Sequence, residues 1–289
     1  MSFSLNIYSD FVQLWTYQFM QHAYEAGTAI AIIAGVTGYF VVLRRSAFTA
    51  HAFSEIGFAG ASGAILLNSV YFPPIAGLLV GSISGGLAIA ALGRRAANRD
   101  TQIGIVLAFA LGLGLLFISL YRAFATAAIS VLFGEIVGVS YSEVELTVYA
   151  GVLILLAVGV LYRPLLFASL DEDVAEAKGM PMLFLGTAFM IIVAVSVSFA
   201  VQVTGVLLIF SLMVTPAATA QYLAARPFRA IIISVVIALT ATWVGLFVAF
   251  WTPYPVSFFI TAIAFGLYLL VRLAKLVIRP PRIVPTSSS

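Results

Sequence analysis

Runs of about 20 apolar residues recur along this chain from residue 24 to residue 273. A run of that length, wound as a helix, matches the roughly 30 Å hydrocarbon core of a bilayer. Of the 289 residues, 63% are hydrophobic and only 9% are charged, which excludes a soluble domain. Backbone groups in lipid must find partners within their own segment, so helices are the default. The extended alternation that a barrel requires is absent. The chain therefore reads as an all-α polytopic membrane protein of about nine transmembrane helices, with eight to ten as the bounds. The spans fall at 24–43, 48–70, 73–93, 101–120, 145–162, 182–200, 204–223, 230–250 and 255–273. Residues 1–23 form an outer N-terminal segment, 24–273 a single membrane domain, and 274–289 a basic, disordered tail. The start of the chain lacks the basic region of a secretory signal, so it is read as part of the mature protein.

Lys and Arg set the orientation. With Arg44 and Arg45 in the cytoplasm and the spans alternating, thirteen of the fourteen cations lie inside and Arg122 alone lies outside. The N-terminus is then outside and the C-terminus cytoplasmic. The net charge of +3 is thus topological and points to no nucleic acid. There is no Cys, which excludes disulfides and thiolate metal sites. Residues 123–144 are apolar but broken by Gly134, Glu135 and Gly138. They read as a re-entrant or surface helix on the outer side, with a tenth span as the rival. Gly77, Gly81 and Gly85 make a small-residue ridge for close helix contact, within one subunit or at a dimer interface.

Glu55 is the one acid well inside an apolar span. It lies about 15 Å along the helix axis from Arg45. A carboxylate there costs about 2.5–3.5 kcal/mol on insertion scales and must face protein or water. His51 is four residues earlier and shares the helix face, which Ala59 and Ser62 continue. An imidazole and a carboxylate in one groove suit Zn, Mn or Fe. A plain structural pair and a proton relay are the other readings. Two ligands make an incomplete site, so another span or a second subunit must add to it.

Further along, Ser211, Thr215 and Pro216 share the seventh span. Pro216 removes the helix partner of the Leu212 carbonyl, and the expected kink either lines a cavity or is merely a kink. Glu135 is either an acid at an outer mouth or a solvated loop acid. His22 and Asp10 read as surface residues of the outer N-terminal stretch.

An unusual charged island interrupts the apolar pattern at LDEDVAEAKGMP. It is either a solvated loop or a short amphipathic helix that docks on a soluble partner. Asp171 and Asp173 suit its N-terminus, and Gly179 with Pro181 would stop it. The phosphate loop GxxxxGK[ST] is missing, because the only lysines are Lys178 and Lys275. Any ATP hydrolysis belongs to a separate subunit, and this chain is not an enzyme. An intramembrane metalloprotease is disfavoured by the lack of HExxH and a total of two His.

Four stretches, in order, resemble the permease subunits of bacterial ABC importers for zinc, manganese and iron (the ABC-3 metal permeases). FVVLRRSAFTAHAFSEIGFAGASGAILL is similar to the family stretch carrying two metal ligands four residues apart and then a glycine, which fall on His51, Glu55 and Gly60. LFGEIVGVS resembles LFGDILAVS, with Glu135 as its acid. LDEDVAEAKGM resembles FDPEVARALG, matching at Asp171, Ala175 and Gly179. VTGVLLIFSLMVTPAATA resembles VGxLLVxALLVxPAATA, matching at Gly205 and Pro216. Glu55 stands where many members carry His, and Glu172 where they carry Pro. The resemblance implies a homodimer in a bacterial cell membrane. It also implies a cytoplasmic ABC ATPase docked on Asp171, Asp173, Ala175, Glu176 and Gly179, and an external or periplasmic metal-binding protein. It implies no covalently bound cofactor, the divalent metal ion being transported substrate and ATP being used by the partner. A secondary metal transporter with Glu55 as carrier is the alternative class.

Overall fold

The computed structural model describes residues 13–67, 72–92, 99–120, 134 and 136–278, with backbone alone at 90–92 and 99–100. Among these residues the chain is helical: α1 (Gln18–Leu43), α2 (Ala47–Leu67), α3 (Pro74–Leu92), α4 (Arg99–Leu120), α5 (Tyr141–Leu170), α6 (Glu172–Ala177), α7 (Met182–Leu223), α8 (Pro227–Phe250) and α9 (Val256–Ile278). Seven are long and apolar enough to cross a membrane; the apolar part of α3, Pro74–Ile89, is shorter.

Local sequence explains the ends. α1 stops in a Schellman turn, with the Ser46 N–H donating to the Val41 carbonyl at 2.8 Å and the Arg45 N–H to Val42 at 3.1 Å. Arg45 takes the left-handed conformation that this turn needs, at φ 53°. α5 begins at a capping box formed by Ser140 and Glu143, then continues through Pro164 to Leu170, well past the expected end at 162.

α7 keeps the two expected passes but joins them differently from the sequence expectation. It covers both the sixth and seventh expected spans in 42 residues. Its backbone leaves helical values at Gly205 (φ 79°, ψ 165°) and not at Pro216, where the kink was expected. The contacts show that the chain reverses there. Phe189 lies under the Arg44 guanidinium, with 4.9 Å from guanidinium carbon to ring centroid. Met213 packs against Gly38, only six residues from Arg44. A straight helix would separate Phe189 from Met213 by about 36 Å. Residues 182–204 therefore climb away from the Arg44 end, and 206–223 return to it.

The remaining helices alternate in the same way. α1 and α5 are parallel, with His22 beside Tyr141 and Phe40 beside Tyr162. α2 and α4 are parallel, with Gly114 against Phe58 and Phe117 against Gly63. α3 runs against α2, and α8 against α1, as the Gly27–Thr242 and Gly35–Val235 contacts show. The described helices thus make nine passes. α4 ends and α5 begins toward the same face, which leaves that count unchanged. Residues 121–133 and Glu135, the core of the expected re-entrant segment, lie outside the described residues, as does Asp10.

Helices in lipid associate by close packing, because lipid is as apolar as leucine. The glycine ridge serves this inside one subunit. The Gly60 and Gly77 backbones touch, Gly81 meets the Ile56 carbonyl, and Gly85 meets the Ile56 side chain. Hydroxyls add cross-helix bonds: Ser82 donates to the Phe53 carbonyl at 3.0 Å and Tyr24 to that of Trp243 at 3.3 Å, while Ser198, which donates to Ala194 at 2.8 Å, also lies 3.3 Å from the Leu78 carbonyl. The buried hydroxyls of Thr37, Ser62 and Thr204 donate to the carbonyl four residues back, whereas those of Ser234 and Thr242 are buried without a partner. A Gly60→Leu substitution would drive a side chain into the Gly77 carbonyl. Overpacking of this kind costs about 1–3 kcal/mol or more. A lowered melting temperature in detergent is expected, with Gly104→Leu as control, since no atom lies within 4 Å of a Cβ there.

Candidate metal pathway

α2 carries His51 and Glu55 one turn apart, on a helix whose opposite side is committed to α3 through Ile56, Gly57 and Gly60. Glu55 is only 7% exposed, and His51 is half-buried. The His51 Nδ1 and the Glu55 Oε2 are both buried with no hydrogen-bond partner. The two side chains are therefore not closed on each other through these atoms. Buried polar atoms are nearly always partnered, and an orphan costs about 1–3 kcal/mol. Two adjacent orphans, one nitrogen and one carboxylate oxygen, are a donor set that fits a divalent transition ion.

His51 faces the returning half of α7. Phe210 stacks obliquely on His51, with ring centroids 5.1 Å apart at 59°. The reversal at Gly205 is what brings Phe210 beside α2, and the Ser211–Pro216 segment that follows packs through Met213 on Gly38 of α1. Sequence reasoning missed Phe210, and no motif marks it. Ser211 and Thr215 are half-buried and Pro216 is buried. The Thr215 carbonyl already accepts from Thr219 at 2.7 Å. Among the described residues no group of three or more His, Asp or Glu side chains could hold a metal. A metal held by His51 and Glu55 would thus need further ligands from elsewhere.

The charged island is a helix. Asp171 caps α6 by accepting from the Val174 N–H at 3.0 Å. Gly179, at φ 76°, closes it in a second Schellman turn, with Gly179 donating to Glu176 at 2.8 Å and Met180 to Ala175 at 3.2 Å. Ala175 is fully buried between Ala168 of α5 and Leu185 of α7. The Lys178 ammonium sits 4.9 Å from the Phe167 ring centroid. Asp171, Glu172, Asp173 and Glu176 remain exposed. α6 is thus anchored on two long helices through one face and presents acids on the other. His22, expected at the surface, is half-buried beside Tyr141.

Nine alternating passes, a half-buried imidazole one turn from a buried carboxylate, and a peripheral acidic helix define a multi-pass transporter subunit of the cell membrane. Residues 16–275 match the ABC 3 transport family, and the chain belongs to that family. It is 31% identical over 222 residues to the manganese transport system membrane protein MntC of Halalkalibacterium halodurans, covering 76% of this chain and 75% of that protein. It is 30% identical over 248 residues to the manganese import system permease protein ScaB of Streptococcus gordonii, covering 83% and 86%. The solved structure of PsaBC from Streptococcus pneumoniae in complex with Fab superposes with a TM-score of 0.84 at 28% identity, over 94% of this chain and all of that one.

Proposed function

We propose that this chain is the permease subunit of an ATP-driven importer of a divalent transition metal, with manganese as the favoured ion. The observation that carries this is the pair of buried, unpartnered ligand atoms on His51 and Glu55, in a chain whose relatives bear manganese-transport names. Glu55 supplies a hard oxygen where nitrogen would favour zinc, which suits manganese. Few ligands suit transport, since the ion must also leave. The Ser211–Pro216 segment and Glu135 belong to the same pathway. A second copy of the chain completes the metal site. The N-terminus is outside, where an external metal-binding protein delivers the ion, and the C-terminus is cytoplasmic. No bound cofactor takes part, and the metal is cargo.

α6 is the contact for the ATPase subunit. Its anchoring on α5 and α7 makes a push on its acidic face a push on the half of α7 that begins at Met182. Loss of a helix cap costs about 1 kcal/mol, and a β-branched residue at positive φ adds strain. Asp171→Ala with Gly179→Val is therefore expected to reduce both ATPase association and uptake. Survival of both would remove α6 from the coupling role.

The test of the whole reading is uptake of labelled manganese, zinc and iron in cells lacking their own importers. The chain is expressed with and without its ATPase and binding-protein partners. Uptake that requires the ATPase supports the importer. Uptake without it, abolished by an uncoupler, would replace this reading with an ion-coupled carrier.

A further inference from the structure

A cavity of about 450 Å³ lies at the end of the molecule away from Arg44, where α2, α3, α5 and α7 meet. Pro73, Pro74 and Leu78 form apolar walls, and Ser142, Glu143 and Gln202 supply the polar wall. The Glu143 carboxylate is divided between two tasks. Its Oε2 accepts from the Ser140 N–H at 2.8 Å and the Ser140 hydroxyl at 2.7 Å. Its Oε1 accepts only from the Gln202 amide, at 3.3 Å. The Gln202 Oε1 is buried with no partner. The Ser142 hydroxyl lies 3.1 Å from that of Ser140.

The cavity therefore has a carboxylate oxygen on a long, weak hydrogen bond and a hydroxyl, with an unpartnered amide oxygen enclosed in its wall. Every donor is oxygen, the set that hard divalent cations take while keeping several waters. Gln202 lies three residues before the reversal of α7, and the cavity is walled by the same two helices, α2 and α7, that carry His51, Glu55 and Phe210. The helix dipole at the start of α5 favours the Glu143 carboxylate and weakens its hold on a cation. Weak binding is what an entry point requires.

We infer that this cavity is an entry station for the incoming hydrated divalent cation, with Glu143 and Gln202 as its oxygen ligands. The inference rests on the importer reading, and it adds a second cation site ahead of the His51–Glu55 pair. A hard-ion preference here would select against zinc before the buried ligands are reached.

Glu143→Gln tests it, because Gln at this position still accepts in a capping box. Manganese binding is measured by electron paramagnetic resonance on the purified full chain. The Glu55→Ala variant is expected to keep a weak manganese site, and Glu55→Ala with Glu143→Gln to lose it. In vesicles with the partner subunits, Glu143→Gln should raise the KM for manganese about tenfold, roughly 1.4 kcal/mol, with a smaller change in maximal rate. Gln202→Leu should raise KM in the same direction and takes over both readouts if Glu143→Gln fails to fold. Unchanged manganese binding and unchanged KM would overturn the station while leaving the importer in place. Manganese binding that follows Glu143, in a wild type that moves no metal with its partners, would leave the station and overturn the importer.

Discussion

Glu55→Ala is expected to lower metal uptake by at least about 100-fold while the assembled complex survives. Loss of a charged ligand worth about 3 kcal/mol accounts for that factor. The argument is one of position. Glu55 is buried at 7% exposure, with one carboxylate oxygen unpartnered, one turn from an imidazole nitrogen in the same condition. A carboxylate kept in lipid only for packing would be satisfied by a donor. Removing such a structural acid would leave transport nearly intact or raise stability. Parallel measurement of thermal stability separates the two cases. Lost uptake with unchanged or higher melting temperature supports a ligand. Retained uptake would reduce Glu55 to a packing residue. His51→Ala is expected to fall with it, since the two atoms share one groove.

The second large effect concerns folding. Gly205→Val is expected to abolish accumulation of folded protein. At φ 79° and ψ 165°, Gly205 occupies backbone space that is essentially restricted to glycine, where a side chain costs about 1–3 kcal/mol. Gly134 packs its own backbone directly on the Thr204–Gly205 peptide, so the turn has no room to relax. Failure to reverse would also pull Phe210 off His51 and Met213 off Gly38. Gly186→Ala is the matched control in the same element, because no atom stands within 4 Å of a Cβ there and helix propensity improves. Detergent-solubilised yield and melting temperature are the readouts. Normal yield of Gly205→Val would mean that the two halves of α7 turn without this conformation.

Much of this architecture is legible in the amino-acid sequence. The apolar runs mark the passes because lipid leaves the backbone no alternative to helix. The island around Asp171 is readable because a capping acid and a stopping glycine are local signals, and α6 keeps to them. His51 and Glu55 stand out because a carboxylate in a long apolar run is costly and so conspicuous. Glu143 escapes notice, although the Ser140–Glu143 spacing is a capping-box signal. Its contact with Gln202 crosses 59 positions and leaves no local trace. Pro216 draws attention to the wrong residue, since proline announces a broken hydrogen bond while Gly205 announces nothing outside its context.

Hydropathy, charge and helical spacing thus suffice for the class, the number of passes and the two candidate ligands. Each of these signals acts within about 20 residues, so a linear reading captures it. The meeting of Phe210 with His51 and the cavity shared by Glu143 and Gln202 emerge only in the folded molecule. They depend on which small residues let two backbones approach, and close approach is a property of both partners at once.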